Sequence, residues 1–354
     1  MEPSGPGEAY RADGSRGTDA SERRDGFPGP TSSQTGPGVV SRTARPDDRE
    51  RMKAAHFEHH EPSTVEEAVE LLETLDDPTL LAGGQSLVPM MRFRLARPET
   101  VVDLNGIDSL EYLRETDDHL EIGALARHAD VEDSPVVDQR YGSFADAAPL
   151  VADPQIRNQG TVVGSVAPSD PKGDWGTVLL AHEGEVVAQG PSGERTIPAD
   201  EFFLLPYDNL LEEDELITEL RVPVSGTDEG SAYHKIKRKV GDYAMAGVAA
   251  RVVLDGEVIS DASVALTAVD ITNVAVPDAP DVLEGERPSG EVFTEAGEVA
   301  ADHANPESDE HGSAEYKRNM VRVLTQRALA DAVERARGEG PAGSYGTDQL
   351  TVGD

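Results

Sequence analysis

The sequence predicts an α+β fold in two domains, on three observations. The chain has 354 residues, enough for two cores of roughly 100–200 residues each. Short β-branched runs recur, at residues 101–104, 186–188, 217–222, 248–254 and 263–269. Stretches with helical apolar spacing accompany them, at 65–75 and 316–335.

Residues 1–51 are rich in Gly, Pro, Ser, Arg and Asp and lack apolar periodicity, so they are expected to be disordered. Folded sequence opens with a helix. Ser63 and Glu66 have the capping-box spacing, and Val65, Ala68, Val69, Leu72 and Leu75 follow until Asp76-Asp77-Pro78 stops it. Residues 79–82 predict a strand feeding a glycine loop, and 101–104 and 120–122 two more. Residues 144–151 predict a short helix before a second glycine loop. The mixed pattern continues through 178–181 and 186–188, and 217–222 closes the first domain, placed at 52–226. Residues 223–230 are the expected linker.

The second domain, placed at 227–340, opens with a strand over 232–240. Alternation there puts Lys235, Lys237 and Lys239 on one face. Strands follow at 248–254 and 263–269, with residues 258–261 turning into the latter. Residues 277–312 are polar and receive no assignment. A helix over 316–335 carries Met320, Val323, Leu324 and Ala328 on one stripe, and 341–354 form an expected disordered tail.

There are 68 acidic and 31 basic side chains, a net charge of −37. Such a chain repels itself unless salt screens it. With 37% apolar residues it predicts a folded protein adapted to high intracellular salt, and a poor partner for nucleic acid or anionic membranes. Cysteine is absent, which excludes disulfides, thiolate-held zinc and an ordinary Cys-ligated iron–sulfur cluster. No apolar run approaches the ~20 residues of a membrane span. Without a hydrophobic signal core, a cytoplasmic location is expected. The nine histidines show no metal spacing, and His56, His59 and His60 are expected to be solvated.

The chemistry concentrates in the two glycine loops, Leu80-Leu81-Ala82-Gly83-Gly84-Gln85-Ser86-Leu87 and Asn158-Gln159-Gly160-Thr161-Val162-Val163-Gly164-Ser165. Each is an apolar run that breaks into glycine and a hydroxyl residue. Successive backbone N–H groups in such turns make an anion site. Two of them gripping one pyrophosphate suggest a dinucleotide, although neither has the GxGxxG spacing. Each loop alone also fits an ordinary tight turn.

The surroundings add a family. Residues 82–105 (AGGQSLVPMMRFRLARPETVVDLN), 122–128 (IGALARH) and 152–180 (ADPQIRNQGTVVGSVAPSDPKGDWGTVLL) resemble the FAD-binding medium subunit of molybdenum hydroxylases. Residues 233–244 (YHKIKRKVGDYA) and Leu266-Thr267 with Thr272-Asn273-Val274 resemble, within that group, the aerobic carbon monoxide dehydrogenase type. The resemblance implies an FAD-binding domain of the PCMH type, related to vanillyl-alcohol oxidase, followed by a carbon monoxide dehydrogenase flavoprotein C-terminal domain. Met52-Lys53-Ala54-Ala55-His56-Phe57 resembles the family's usual start, which leaves residues 1–51 as either a regulatory tail or sequence that is not native.

The same resemblance carries FAD contacts onto Ala82, Gly83, Gly84, Gln85, Ser86 and Leu87, with Gln85 standing where histidine is frequent. It carries them onto Thr161, Gly164 and Ser165. Val163 stands where the family pattern has glycine, so either the backbone there is extended or this loop binds less tightly. Asp174 matches an acid near the adenine-side ribose, and plain surface acidity fits it too. Ile217 matches an apolar flavin contact, and core packing fits equally. Tyr233 and Lys235 match an aromatic and a lysine near the flavin ring, and a strand whose lysines meet acidic neighbours is the alternative. Asp242 and Tyr243 are expected to support packing. Gly83 is expected at a surface turn, where a branched side chain would expel FAD and leave the fold intact.

The implied activity is electron transfer as an oxidoreductase subunit. A large subunit would hold the molybdenum cofactor, a small one two [2Fe–2S] clusters, and this chain would pass electrons from those clusters through FAD to an external acceptor. A medium subunit of a xanthine, aldehyde or aromatic-acid dehydrogenase is the nearest alternative. A stand-alone flavin oxidase, turning over substrate without partners, and a colourless assembly scaffold are the other two.

Overall fold

A computed structural model describes residues 53–339; the two segments expected to be disordered and the expected start at Met52 lie outside the described residues. Strands β1 (Glu58–His60), β2 (Thr79–Leu81) and β3 (Thr100–Asp103) form a parallel sheet in the order β1-β3-β2. Helix α1 (Val65–Thr74) joins β1 to β2 and buries Ala68, Val69 and Leu72. Its cap lies one residue beyond the expected one. Thr64 Oγ1 accepts the Glu67 N–H at 3.2 Å, and the Glu67 carboxylate takes both the N–H and the hydroxyl of Ser63 at 2.8 Å. Strand β1 escaped the sequence reading because EHH has no apolar residue to mark it. Its His59 reaches the Asp103 carboxylate on β3 at 3.2 Å. Helix α2 (Leu87–Arg92) follows the first glycine loop.

A second, antiparallel sheet runs β4-β5-β10-β6-β7, from β4 (Leu113–Glu115), β5 (His119–Gly123), β6 (Glu185–Gly190), β7 (Gly193–Pro198) and β10 (Leu216–Pro223). Strands β8 (Phe203–Leu205) and β9 (Asp208–Asn209) pair beside it. Between β5 and β6 the chain makes helices α3 (Gly142–Ala147), α4 (Val162–Val166) and α5 (Asp174–Ala181), and every residue of α5 is buried.

The C-terminal sheet is the antiparallel β11 (Glu229–Ile236), β12 (Ala246–Asp255), β13 (Val258–Thr267) and β14 (Val274–Ala275). Its two faces have different tasks, because side chains alternate along a strand. Val248, Ala250, Val264 and Leu266 join one core with α6 (Gly290–His303) and α7 (Ala314–Ala336). Tyr233, Ala249 and Ala265, aligned across three strands, join the core of the preceding domain. Arg335 of α7 clamps Asp146 of α3 with two bonds of 2.7 and 2.8 Å.

Several expectations need correction. The first strand of this sheet ends at Ile236, so Lys237 and Lys239 lie beyond it: Lys237 is buried, and Lys239 is exposed. The turn into β13 is at Gly256 (φ 64), and residues 258–261 already belong to the strand. The unassigned stretch contains a short helix (Ala279–Leu283) and α6, which Ser289 caps; an alanine-rich buried face gave weak apolar contrast. On α7 the buried stripe is Val321, Leu324, Thr325, Ala328, Leu329 and Ala332, with Val323 only partly covered. Among the described residues no helix is long and apolar enough to cross a membrane.

Candidate functional site

The two glycine loops meet. They border a cavity of about 580 Å³, lined by Ala82, Gly83, Gly84, Gln85, Ser86, Leu87, Thr161, Gly164, Ser165, Asp174, Ile217 and Lys235 among others. Of the thirteen residues singled out in the sequence, the structure brings these twelve to one cavity. Tyr233, the thirteenth, stands behind Asp174.

The first loop is an open turn. Gly84 sits at φ 68, where glycine alone is unstrained. The N–H groups of Gly84, Gln85, Ser86 and Leu87 have no acceptor among the described residues, while the Val88 N–H returns to Gly84 O at 3.0 Å. Gly83 is not a free surface position, contrary to expectation. A Cβ there would fall on the Gln159 carbonyl oxygen and 2.6 Å from Gly160 Cα, because the backbones of the two loops touch.

The second loop is a helix start. Thr161 is the N-cap of α4 and its Oγ1 accepts the Gly164 N–H at 3.0 Å. Val163 lies inside α4, helical and buried, so it is neither extended nor forced to positive φ. Gly164 is needed for space: a Cβ would lie 2.5 Å from the capping Thr161 Oγ1.

A brace that the sequence reading left unassigned ties the loops together. Arg127 donates to Gln159 O (2.5 Å) and Asn105 Oδ1 (2.9 Å), and Asn105 donates to Ala82 O (2.8 Å) and Asp103 Oδ1 (2.7 Å). Next to Arg127, His128 lies under Gly160 and accepts the Trp175 Nε1–H on Nδ1 at 3.0 Å. Burial, followed by the nearby Arg157 and Arg127 charges, pushes His128 down to about 4, so it is neutral at neutral pH. Arg127 and His128 belong to the IGALARH segment, which marked the family without disclosing their contacts.

The opposite wall is delivered by the C-terminal sheet. Lys235 Nζ pairs with Asp174 Oδ2 at 2.7 Å, and Tyr233 donates to Asp174 Oδ1 at 2.6 Å; all three are buried. Strand alternation puts Tyr233, Lys235 and, across the sheet, Thr267 on one face. Gly247, opposite Lys235, leaves room for the Tyr233 hydroxyl, 2.7 Å from where its Cβ would be. Burial, with the Asp174 charge, raises the Tyr233 phenol well above its ordinary range. Burial, with the adjacent Lys235 charge, lowers Lys237. Thr267 Oγ1 and Asn273 Nδ2 donate to Gly173 O at 2.9 and 3.0 Å and hold the turn into α5, which explains why both lie in the resembling motif. Tyr243, expected to support packing, is 60% exposed and lines the cavity.

Comparison with known proteins agrees with this architecture. Residues 55–225 match the family model of the FAD binding domain in molybdopterin dehydrogenase, and 231–332 that of the CO dehydrogenase flavoprotein C-terminal domain. The carbon monoxide dehydrogenase medium chain of Hydrogenophaga pseudoflava is 43% identical over 289 residues, covering 79% of this chain and 98% of the relative.

The chain belongs to the family of FAD-binding medium subunits of molybdenum hydroxylases.

FAD is therefore its cofactor, and it is an oxidoreductase subunit. Another member, the nicotine 6-hydroxylase medium subunit of Paenarthrobacter nicotinovorans, is 39% identical over 284 residues, covering 80% of this chain and all of the relative. A solved carbon monoxide dehydrogenase from Hydrogenophaga pseudoflava superposes with a TM-score of 0.78 at 42% identity, covering 80% of this chain and 99% of that one. The two-domain α+β fold expected from the sequence holds.

Proposed function

We propose that this chain is the electron-carrying member of a heterotrimer of the carbon monoxide dehydrogenase type, fed by the [2Fe–2S] clusters of a small subunit and emptied by an external acceptor, while a molybdenum-cofactor large subunit oxidises substrate. Flavin supplies the junction between one- and two-electron transfer. The observation that carries the reading is the set of four N–H groups at Gly84 to Leu87, without acceptors among the described residues, in a loop that lines a cavity with both apolar walls and the Lys235–Asp174 pair. Such amides fit a pyrophosphate, with Thr161, Gly164 and Ser165 on its other side. Ile217 and Val163 offer apolar contact to rings, and Tyr243 an aromatic surface at the mouth.

Lys235 presents a fixed cation in the cavity wall, which favours an anionic reduced ring. Asp174 holds that cation, and Tyr233 holds Asp174. In this reading Asp174 and Tyr233 act mainly as positioning residues, since both carboxylate oxygens of Asp174 are already engaged within the protein. None of these groups meets a substrate proton.

The test separates the chain from its partners. Alone, it binds FAD and does not oxidise carbon monoxide, purines or aldehydes. With both partner subunits, substrate bleaches the flavin. Turnover by the isolated chain at about 1 s⁻¹ or more, within the ordinary enzyme range, makes it a stand-alone oxidase instead. The net charge of −37 supports a protein that works in high salt. Diluting salt from about 1 M to about 0.1 M lengthens the screening distance from about 3 to about 10 Å. Thermal stability and FAD retention should both fall on that dilution; an unchanged melting curve defeats the salt assignment.

A further inference from the structure

We infer that the end of α2 and the turn after it, residues 92–97, form the docking ridge for the iron–sulfur partner subunit; this rests on the proposed place of the chain in electron transfer. The helix leaves the cavity wall, where Leu87 and Met90 stand, and ends in a Schellman turn: the Arg94 N–H returns to Met91 O and the Leu95 N–H to Met90 O, at 3.0 and 2.8 Å. The position that favours glycine in this turn holds Arg94, at φ 59. The residue after it is commonly apolar and folds back on the helix. Here Leu95 does not fold back: it is 80% exposed, and Phe93 is 78% exposed. They are the largest apolar side chains left so open beside the cavity. The turn therefore holds two apolar side chains out in a fixed conformation, as a preorganised interface would.

Charge selects the partner's chemistry. Arg92 and Arg97 have no ion pair among the described residues, in a chain with 68 acidic and 31 basic side chains. Carboxylates are abundant here, yet none among the described residues lies within ion-pair distance of these two cations. Phenylalanine and arginine are enriched at protein interfaces. The complementary surface is an apolar recess ringed by carboxylates. Location then selects which partner bears it. This chain has no cysteine, so its electrons arrive from clusters on another chain. The donor must lie against a wall of the flavin cavity, and α2 is a wall whose continuation carries both the apolar residues and the two cations without an ion pair among the described residues.

Two variants of the full chain test this, each co-expressed with both partner subunits: Phe93→Ser with Leu95→Ser, and Arg92→Glu with Arg97→Glu. None of the four residues lines the cavity. Each pair should keep parental FAD content and melting temperature, and dithionite should reduce the flavin at the parental rate. Recovery of the iron–sulfur subunit through a tag on this chain should fall about tenfold or more, and substrate bleaching of the flavin with it. If a pair loses FAD, Arg97→Glu alone carries the same measurements, since among the described residues that side chain's recorded bond is to Arg94 O, on its own turn. Parental recovery of the iron–sulfur subunit overturns the inference. So does loss of the molybdenum subunit alone, or a self-dimer of the isolated chain that the variants dissolve. Failure of the parent complex to bleach with substrate overturns the functional reading instead, and leaves the recovery measurement to judge the ridge.

Discussion

The two glycine loops look alike in sequence and are built in different ways. The first is an open turn: Gly84 takes a left-handed conformation, and four amides of cavity-lining residues have no acceptor among the described residues. The second is a closed helix start: Thr161 spends its hydroxyl on Gly164, and Val163 is part of the core. The first loop has groups to give a ligand, whereas the second mainly fixes where the first one sits. Glycine accordingly serves conformation at Gly84, backbone approach at Gly83 and side-chain clearance at Gly164.

The hardest blow to this pairing is Gly83→Val. Its side chain would occupy the backbone of residues 159–161, so the loops must part. Visible flavin absorption should vanish, and the fold should lose about 1–3 kcal/mol or more from overpacking. A yellow, parentally stable variant would show that the loops need not touch.

Acid reaches the second loop through His128. His128 under Gly160 has a folded pKa of about 4, below its ordinary 6.5. The unfolded chain takes up that proton first, so its stabilising contribution is complete above about pH 6.5 and is lost as pH falls toward 4. The loss is about 3 kcal/mol for this group. His182, buried against Ser143 and held near 3, adds to it with the same sign. Urea denaturation across this range should show stability rising with pH, with a shallower slope in His128→Gln. Equal slopes would remove His128 from the account.

Val163→Gly installs the glycine that the resembling pattern has at this position and sharpens the comparison. If the second loop were a ligand turn, FAD would bind more tightly. Since Val163 is helical and buried, the variant should lose about 2 kcal/mol from lost buried side-chain volume and helix propensity, with no gain in FAD affinity by titration. The smallest effect is expected from Gly84→Ala. Left-handed strain costs roughly 1–2 kcal/mol, and the added methyl meets only flexible ends of Leu81 and Val88 at 3.1 Å. FAD should weaken and remain bound; an unchanged dissociation constant would show that the turn is not set by Gly84.

Much of the fold was legible because apolar periodicity is local. Strands β3, β5, β10, β12 and β13 and helices α1 and α7 lie where the patterns place them, with ends shifted by a few residues. Elements whose stability comes from elsewhere were hidden. Strand β1 is polar and exists because β3 pairs with it, and α6 is faint because alanine buries little contrast. At the site, the two loops were visible in the chain and the brace between them was not. Arg127, Asn105 and His128 are unremarkable letters until folding sets them beside Gln159, Ala82 and Gly160.

The sequence by itself determined the α+β class, the family and FAD, because collinear motifs of glycine, hydroxyl and acid survive as a linear pattern. It also determined that any iron–sulfur cluster belongs to a partner, since no cysteine exists to hold one. Only the tertiary structure decided what each residue does. Lys235 and Asp174 lie 61 residues apart and become one ion pair only when the C-terminal sheet closes on α5. Tyr233 matches a flavin contact as a letter, yet its hydroxyl is spent on Asp174. Periodicity specifies which face of an element a side chain occupies; the partner across that face is set by packing between segments distant in sequence, and no local pattern encodes it.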